Sequence, residues 1–164
     1  MRIAERFFEK NGAKVIICGR NKEKLIEAKN SLMKDCKCTC DKIDVLLLDI
    51  SNVKEMDIIL SKYLDDKRID IFVNNAGVNA GDLFPNTAEQ EYDKVLNTNL
   101  KGMYFISQII VKYMIDKKIR GNVLNITSSS ALRPGISPYI ISKWGENSLT
   151  LGMAKKLSAV WNNC

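Results

Sequence analysis

The chain of 164 residues contains no histidine, and this absence excludes several kinds of active site. A Ser-His-Asp or Cys-His nucleophilic site cannot be assembled without an imidazole. A zinc site that uses a His ligand is excluded for the same reason. Acid–base chemistry near neutral pH must therefore rely on a Tyr, Lys, Cys or carboxylate whose pKa is displaced from its ordinary value.

Long apolar runs and concentrated basic stripes are also absent from the sequence. No uncharged apolar run approaches the ~20 residues that span a bilayer, and the charged start Met1–Arg6 does not look like a secretion signal. The net charge is +6, but the basic residues are scattered among acids, unlike those of a nucleic-acid-binding surface. We therefore expect no membrane or nucleic-acid partner and a cytoplasmic location. The mild positive charge suits an anionic small molecule such as a phosphate-bearing cofactor.

Three of the five cysteines, Cys36, Cys38 and Cys40, alternate along one short stretch. Their spacing differs from the Cys-x-x-Cys of a zinc knuckle, and no second ligand cluster follows them. We interpret them as loop thiols in a reducing compartment, in preference to a metal site. The sequence therefore predicts no metal centre.

Short apolar runs alternate with amphipathic stretches, which predicts strands that alternate with helices. Strands are expected at 14–19, 43–48, 68–73 and 122–126, and helices at 2–11, 22–34, 52–64, 88–115 and 138–157. Ser51 is expected to cap the third helix, and a break is expected in the fourth helix near Asn97–Lys101. Elements of these lengths in this order predict an α/β fold, with a parallel sheet that carries helices on both faces.

Small or polar residues follow each predicted strand, where parallel sheets bind their ligands. These residues are Gly19-Arg20, Asp49, Asn74-Asn75-Ala76-Gly77 and Thr127-Ser128-Ser129. The carboxyl ends of the strands therefore form the predicted binding edge.

Tyr139 and Lys143 are four residues apart in a predicted helix, so the phenol and the ammonium project from the same face. A free Tyr has a pKa of about 10, and a nearby Lys⁺ favours the phenolate. Such a Tyr can exchange a proton with a substrate oxygen. The Tyr-x-x-x-Lys spacing alone also occurs on many ordinary helices, so its neighbours in the sequence decide its meaning.

Four motifs occur in the order Asn74-Asn75-Ala76-Gly77, Asn99-Leu100-x-Gly102, Ile126-Thr127-Ser128-Ser129 and Tyr139-x-x-x-Lys143. In this order and spacing, the chain resembles the short-chain dehydrogenase/reductase family, of the compact single-domain type, from about Ile3 to Leu157. The resemblance implies a Rossmann-like fold and an NAD(P)-dependent oxidoreductase that moves a hydride between the cofactor and an alcohol or carbonyl substrate. We accordingly expect a partial NAD(P)-binding domain over 1–157 and a tail outside the family pattern over 158–164.

The resemblance also implies roles for individual residues. Tyr139 matches the catalytic acid/base, and Lys143 matches the residue that lowers the Tyr pKa and holds the nicotinamide ribose. Ser128 matches the Ser that hydrogen-bonds the substrate oxygen, with the two serines after it as alternatives. Asn99 matches the Asn that supports Lys143 through water in a proton relay.

Five further residues concern the cofactor. Asn75, Ala76 and Gly77 match the family's turn beside the cofactor, where a glycine lets the ligand approach the backbone closely. Asp49 matches a residue that hydrogen-bonds adenine, although a helix N-terminal acid is an equally good interpretation of it. NAD-dependent members commonly carry an acid after the family's second strand, which corresponds to the strand expected at 14–19 in this chain. This chain has Arg20 at that position, and its planar guanidinium can bind a 2′-phosphate. NADP(H) is therefore expected in preference to NAD(H).

The sequence departs from the family pattern at both ends. The family's first strand and its glycine-rich pyrophosphate turn have no counterpart in it, nor do the family's last strands after Leu157. We therefore expect a sheet that is incomplete at both ends, with strands 14–19 and 69–73 either paired directly or separated by roughly 10 Å. Two functions stay open: an oxidoreductase with Tyr139 as acid/base, or a catalytically inactive truncated form of one. The complete parent enzyme is expected to be a homo-oligomer.

Overall fold

A computed structural model of the chain describes residues 13–35, 42–80 and 84–161. The elements in chain order are β1 (Val15–Gly19), α1 (Lys22–Asp35), β2 (Ile43–Leu47), α2 (Val53–Tyr63), β3 (Ile71–Asn74), α3 (Glu89–Val95), a π segment (Leu96–Gly102), α4 (Met103–Asp116), β4 (Asn122–Asn125), a 3₁₀ turn (Ser129–Leu132) and α5 (Pro138–Trp161). The expected helix at 2–11 and the stretch from Cys36 to Cys40 lie outside the described residues. Every other expected strand and helix has a counterpart. Among the described helices, length and apolar character never combine to the degree that crossing a membrane requires.

The described strands form two parallel pairs. β1 pairs with β2, from Val15 opposite Ile43 onward, and β3 pairs with β4, from Ile71 opposite Asn122 onward. Parallel neighbours need a crossover connection, and helices supply it here, which confirms the predicted α/β class. Strands β1 and β3 belong to different sheets. The alternative in which these two strands pair directly is therefore wrong: within the described residues, β1 is paired with β2 and β3 with β4.

The chain divides into two compact units, Met1–Asp49 and Ile50–Cys164. In the first unit, α1 packs on β1 and β2, and Leu32 and Ile43 form the core with exposed fractions of 1% and 2%. Three half-buried residues pack against this core: Val15, Ile17 and Met33. Beyond the strands, the Leu48 N–H donates to the Gly19 carbonyl at 2.8 Å. The parallel pairing thus continues to the end of β1.

The strands are less buried than their apolar sequences predict. Residues 15–17 are half-buried and Cys18 is exposed, and Leu47, Ile71 and Leu124 each expose about half of their surface. A strand that is buried on both faces needs helices on both faces and strands on both edges. Two-stranded pairs supply fewer neighbours, so apolar side chains on them stay accessible.

In the second unit, helix α2 packs against α4 through a buried apolar face. Its cap is Asn52: the side-chain oxygen accepts from the Glu55 N–H at 3.4 Å, and the side-chain amide donates to the Glu55 carboxylate at 2.9 Å. The prediction that Ser51 caps this helix is therefore wrong by one residue. The reciprocal cap needs an acid three residues after the capping side chain, and Asn52 meets that spacing.

The long helix expected at 88–115 runs without interruption from Glu89 to Asp116, but Leu96–Gly102 is π-helical. The break expected near Asn97–Lys101 is thus a local widening of the helix. A Cβ on Gly102 would lie 2.7 Å from the Ile50 carbonyl oxygen, so the backbones approach too closely there for a larger residue. Such π segments are frequent at functional sites.

Candidate active site

Helix α5 carries both residues of the Tyr-x-x-x-Lys motif in its first two turns. Pro138 occupies the first helical position, where its missing N–H costs nothing, and Ser137 Oγ accepts from the Ile140 N–H at 3.3 Å. The helix therefore starts immediately before Tyr139. Lys143 Nζ lies 5.6 Å from the centroid of the Tyr139 ring. The structure thus brings the phenol and the ammonium together, as the spacing predicts.

Lys143 is buried, with 5% of its surface exposed, and its ammonium has two anchors. Nζ donates to the carbonyl oxygen of Ile126, just after β4, at 3.3 Å, and to Glu146 Oε2 at 2.9 Å. Glu146 Oε1 also lies 2.9 Å from Nζ, although that oxygen makes no hydrogen bond with the described part of the chain. The Ile126 contact ties α5 to the carboxyl end of β4.

Glu146 is a site residue that sequence reasoning missed. Only 2% of its surface is exposed. Burial raises the pKa of Glu146, and the hydrogen bond and positive charge of Lys143 oppose that rise only in part. The sequence feature that could have revealed this pair is the spacing of Lys143 and Glu146, because residues three apart on a helix are neighbours.

Asn99 is fully buried in the π segment. Its Nδ2 donates to the Val78 carbonyl at 2.9 Å and to Ser142 Oγ at 3.0 Å, and its Oδ1 accepts from the Val78 N–H at 2.8 Å. Ser142 Oγ in turn donates to the Tyr139 carbonyl at 2.7 Å. Asn99 thus joins the loop after β3 to the start of α5, whereas a water-mediated relay to Lys143 stays a prediction.

Asn75, Ala76 and Gly77 follow β3 and are exposed. A Cβ built on Gly77 would lie 3.5 Å from Asn99 Oδ1 and 3.7 Å from Lys143 Nζ. The turn therefore borders both predicted site residues. Four of the predicted positions, from three elements, meet at the carboxyl ends of β3 and β4.

Ser128 is half-buried and caps the 3₁₀ turn. Its Oγ accepts from the Ser130 N–H at 3.1 Å, which gives it a local structural role. Within the described residues, no hydrogen bond connects Ser128 to Tyr139 or Lys143. Its contact with a substrate oxygen therefore stays a prediction, and the same holds for its serine neighbours.

Sequence reasoning also missed a network of hydrogen-bonded polar side chains next to the site. Asn74 Nδ2 donates to Asn125 Oδ1 at 2.8 Å and to Ser107 Oγ at 2.9 Å, and Asn125 Nδ2 donates to Thr150 Oγ1 at 2.9 Å. The Thr150 hydroxyl donates to the Glu146 carbonyl at 2.7 Å. This network connects the ends of β3 and β4 to α4 and α5. An Asn at the end of two apolar strands is the signal that could have revealed it.

Arg20 and Asp49 belong to the first unit, where they follow β1 and β2. Arg20 is exposed and Asp49 is half-buried. Both lie at strand ends as predicted, while their contacts with a cofactor stay predictions. Over residues 13–35, 42–80 and 84–161, no three His, Cys, Asp or Glu residues cluster as metal ligands would.

Comparison with known proteins identifies the family. The model of the short chain dehydrogenase family matches residues 1–160. The chain therefore belongs to the short-chain dehydrogenase family. It is 33% identical over 154 residues to the 3-oxoacyl-[acyl-carrier-protein] reductase FabG of Thermotoga maritima, covering 92% of this chain and 61% of that protein. It is 31% identical to the gluconate 5-dehydrogenase of Gluconobacter oxydans, covering 87% of this chain and 55% of that protein. The chain thus spans less than two thirds of the length of these relatives.

Solved structures of short-chain dehydrogenases share the fold. A short chain dehydrogenase from Bacillus anthracis superposes with a TM-score of 0.81 at 33% identity, covering 98% of this chain and 62% of that one. ElxO with NADP bound gives a TM-score of 0.82 at 26% identity, with coverages of 96% and 63%. A metagenomic short-chain oxidoreductase in complex with NADP gives 0.82 at 28% identity, with coverages of 96% and 70%. The predicted Rossmann-like α/β fold is confirmed.

Proposed function

We propose that this short-chain dehydrogenase is an NADP(H)-dependent oxidoreductase that acts on an alcohol or carbonyl substrate. The observation that carries the proposal is the position of the Lys143 ammonium. It lies 5.6 Å from the Tyr139 ring centroid and beside the exposed turn at Gly77. A proton-transfer group, a fixed positive charge and an accessible backbone turn thus meet at one point.

Tyr139 is the proposed acid/base. Reduction of a carbonyl leaves negative charge on one oxygen, and the Tyr139 hydroxyl donates the proton that neutralises it. In the reverse direction the same hydroxyl takes the proton of the alcohol. The Lys143 ammonium is proposed to stabilise negative charge on the phenol oxygen while the proton moves.

The residues present fit a nicotinamide dinucleotide, which supplies the hydride when it is bound. Lys143 has three N–H groups, and Ile126 and Glu146 use two of them, so one is left for a ribose hydroxyl. The absence of a side chain at Gly77 keeps the approach to this ammonium open. Asn75 and Ala76, the two exposed residues before Gly77, are proposed to contact the cofactor as well.

NADP(H) is the proposed cofactor because Arg20 is an exposed cation directly after β1. Its guanidinium is proposed to bind the 2′-phosphate, and Asp49 is proposed to bind adenine. Two of the solved structures described above contain NADP, which supports the same choice. Arg20→Asp should lower the ratio of NADPH affinity to NADH affinity, and an unchanged ratio would refute the assignment.

The proposed function is tested by measuring NADPH binding and hydride transfer on the same protein. NADPH at 100 times its dissociation constant should stabilise the chain by about 2.7 kcal/mol, which raises the melting temperature by roughly 5–10 °C. Tyr139→Phe should keep this shift and lower the rate of carbonyl reduction by about 10²-fold or more. A melting temperature that neither NADPH nor NADH moves would refute the proposal and favour the catalytically inactive alternative.

The proposed substrate is a small molecule that carries a ketone or a secondary alcohol. The names of the two relatives, a 3-oxoacyl-[acyl-carrier-protein] reductase and a gluconate 5-dehydrogenase, both denote oxidoreductases of such groups. A panel of 3-oxoacyl thioesters and sugar acids, assayed with NADPH or NADP⁺, would distinguish the two classes. The cytoplasm is the proposed location, in keeping with cysteines that suit a reducing compartment.

A homo-oligomer is the proposed assembly of the complete enzyme. A groove of about 550 Å³ runs between the π segment, α4 and α5, and its lining includes Leu100, Tyr104, Phe105 and Leu149. The family resemblance implies that helices in these positions can form subunit interfaces, so we propose a second copy as the occupant of the groove. Sedimentation should give the mass of a dimer or larger oligomer, and Tyr104→Glu should shift it to the monomer. A wild-type monomer at high concentration would refute the assembly.

A further inference from the structure

Glu146 is a buried carboxylate that the proposed mechanism does not use. It lies three residues after Lys143 on α5, and both of its carboxylate oxygens are 2.9 Å from Lys143 Nζ. The side chains of Lys143 and Glu146 expose only 6% and 2% of their surfaces. A carboxylate is almost never buried this completely unless it is paired. The contact with Lys143 is therefore the main interaction that lets Glu146 occupy this position.

The ammonium is held between two acceptors on different elements. The Ile126 carbonyl approaches it from the end of β4, and Glu146 holds it from α5. A lysine ammonium sits on a flexible four-carbon stem, so a single neutral acceptor fixes it poorly, whereas a carboxylate adds the attraction of an opposite charge to its hydrogen bond. We propose that Glu146 is a positioning residue that fixes the Lys143 ammonium beside the Gly77 turn and leaves one N–H for the cofactor. The contact with the cofactor rests on the proposed function, whereas the anchoring of Lys143 by Glu146 does not.

Other charges do not compete for this ammonium within the described residues. The elements that pack against α5 are the π segment, the 3₁₀ turn, α3 and α4. The charged side chains of these elements are exposed or half-buried, among them Glu91, Lys94, Lys101 and Lys112, and Arg133, which follows the 3₁₀ turn, is exposed. Tyr139 is the other titratable group beside Lys143. The charge that acts on the Glu146 carboxyl is that of Lys143.

The anchoring is tested on the chain without cofactor, by recording the side-chain ammonium signals of ¹⁵N-labelled lysines. An ammonium that is buried and hydrogen-bonded exchanges its protons with water slowly and gives a sharp signal. Wild type should show one such signal that Lys143→Met removes. Glu146→Gln should make this exchange about tenfold faster or abolish the signal, because the negative charge that holds the ammonium is lost while an acceptor oxygen remains. Glu146→Asp, which keeps the charge, should retain part of the protection.

The chain offers a matched control in Glu91 and Lys94, which form an ion pair at the same i,i+3 spacing on the surface of α3. Their Nζ–Oε2 distance is 3.3 Å, and their side chains are 38% and 49% exposed. Glu91→Gln should leave the Lys143 signal unchanged. The proposal is overturned if Glu146→Gln folds and keeps the wild-type exchange rate, because burial and Ile126 alone would then hold the ammonium.

A titration of the wild-type protein covers the case in which Glu146→Gln does not fold. Because burial raises the pKa of Glu146, its carboxyl should take up a proton at a higher pH than the ordinary value of about 4.3. The Lys143 signal should move with the same midpoint as the Glu146 carboxyl carbon. A Lys143 signal that stays fixed while the carboxyl titrates would overturn the anchoring.

Hydride transfer provides a separate measurement. Once NADPH-dependent reduction is established, Glu146→Gln should lower kcat/KM by about tenfold or more at neutral pH, since a displaced group loses much of its effect. Glu146→Asp should restore part of this loss, and Glu91→Gln should cause none. If wild type does not bind NADPH but shows the protected Lys143 signal, the proposed function fails while the anchoring stands.

Discussion

The strand ends of the two units hold their polar side chains in different ways. After β3 and β4, Lys143 and Asn99 are buried and hydrogen-bonded to other elements of the same unit. After β1, Arg20 is exposed, and the Gly19 carbonyl accepts from the Leu48 N–H. Groups that stabilise charge developing during a reaction are most effective when the structure already holds them in position. A group that binds a phosphate must stay open to the ligand, so exposure suits the role proposed for Arg20.

The largest effect should come from removing the charge that pairs with Glu146. Lys143→Met leaves a buried carboxylate without its counter-charge, which should lower the free energy of unfolding by about 3–5 kcal/mol at pH 8. The matched substitution Lys94→Met breaks an exposed pair and should cost less than about 1 kcal/mol. Urea denaturation of the two variants measures both values. Equal losses would show that the burial of the pair has no energetic consequence.

The next effect concerns the buried amide of Asn99. Asn99→Ala leaves both backbone groups of Val78 without their partner, so the unfolding free energy should fall by about 2–3 kcal/mol. Asn75→Ala, which changes an exposed amide two residues before Gly77, should stay within about 0.5 kcal/mol of wild type. A loss at Asn99 no larger than that at Asn75 would contradict the interpretation that Asn99 fixes the loop after β3.

The pH dependence of stability offers a smaller test. The pKa of Glu146 is raised in the folded chain, so the folded state binds the proton more tightly than the unfolded state, and stability falls as pH rises through the folded-state pKa. Glu146→Gln cannot titrate. The stability of wild type relative to this variant should therefore be greatest at low pH and should decrease with increasing pH. Thermal unfolding from pH 4 to pH 8 measures the difference, and the opposite slope would contradict the assigned direction.

The smallest effect on stability is expected at Arg20. Because its side chain is exposed, Arg20→Ala should change the unfolding free energy by no more than about 0.5 kcal/mol. The same substitution should weaken the binding of NADPH more than that of NADH. Calorimetric titration of both cofactors, together with urea denaturation, separates the two effects. A large loss of stability would remove the contrast between the two units.

Local sequence patterns predicted the positions of the strands and of the site residues better than they predicted the hydrogen-bond partners of individual side chains. The apolar runs located all four described strands, because a short buried run between turn residues is a local property. Helical spacing put Tyr139 and Lys143 on one face for the same reason. The capping residue of α2 was missed by one position, since Ser51 and Asn52 are both good capping residues and only the reciprocal contact with Glu55 separates them.

The sequence by itself determined the α/β order, the polar residues at the strand ends and the family to which the chain belongs, since each depends on residue types at short or fixed spacings. The tertiary structure decided which groups meet. Asn99 binds Val78, 21 residues away, and Gly77 borders Lys143. Glu146 stands three residues from Lys143 in the sequence, but only packing shows that this pair is buried while the equally spaced Glu91–Lys94 pair is exposed. Burial depends on neighbours from distant elements, and it is burial that distinguishes a positioning carboxylate from a surface charge.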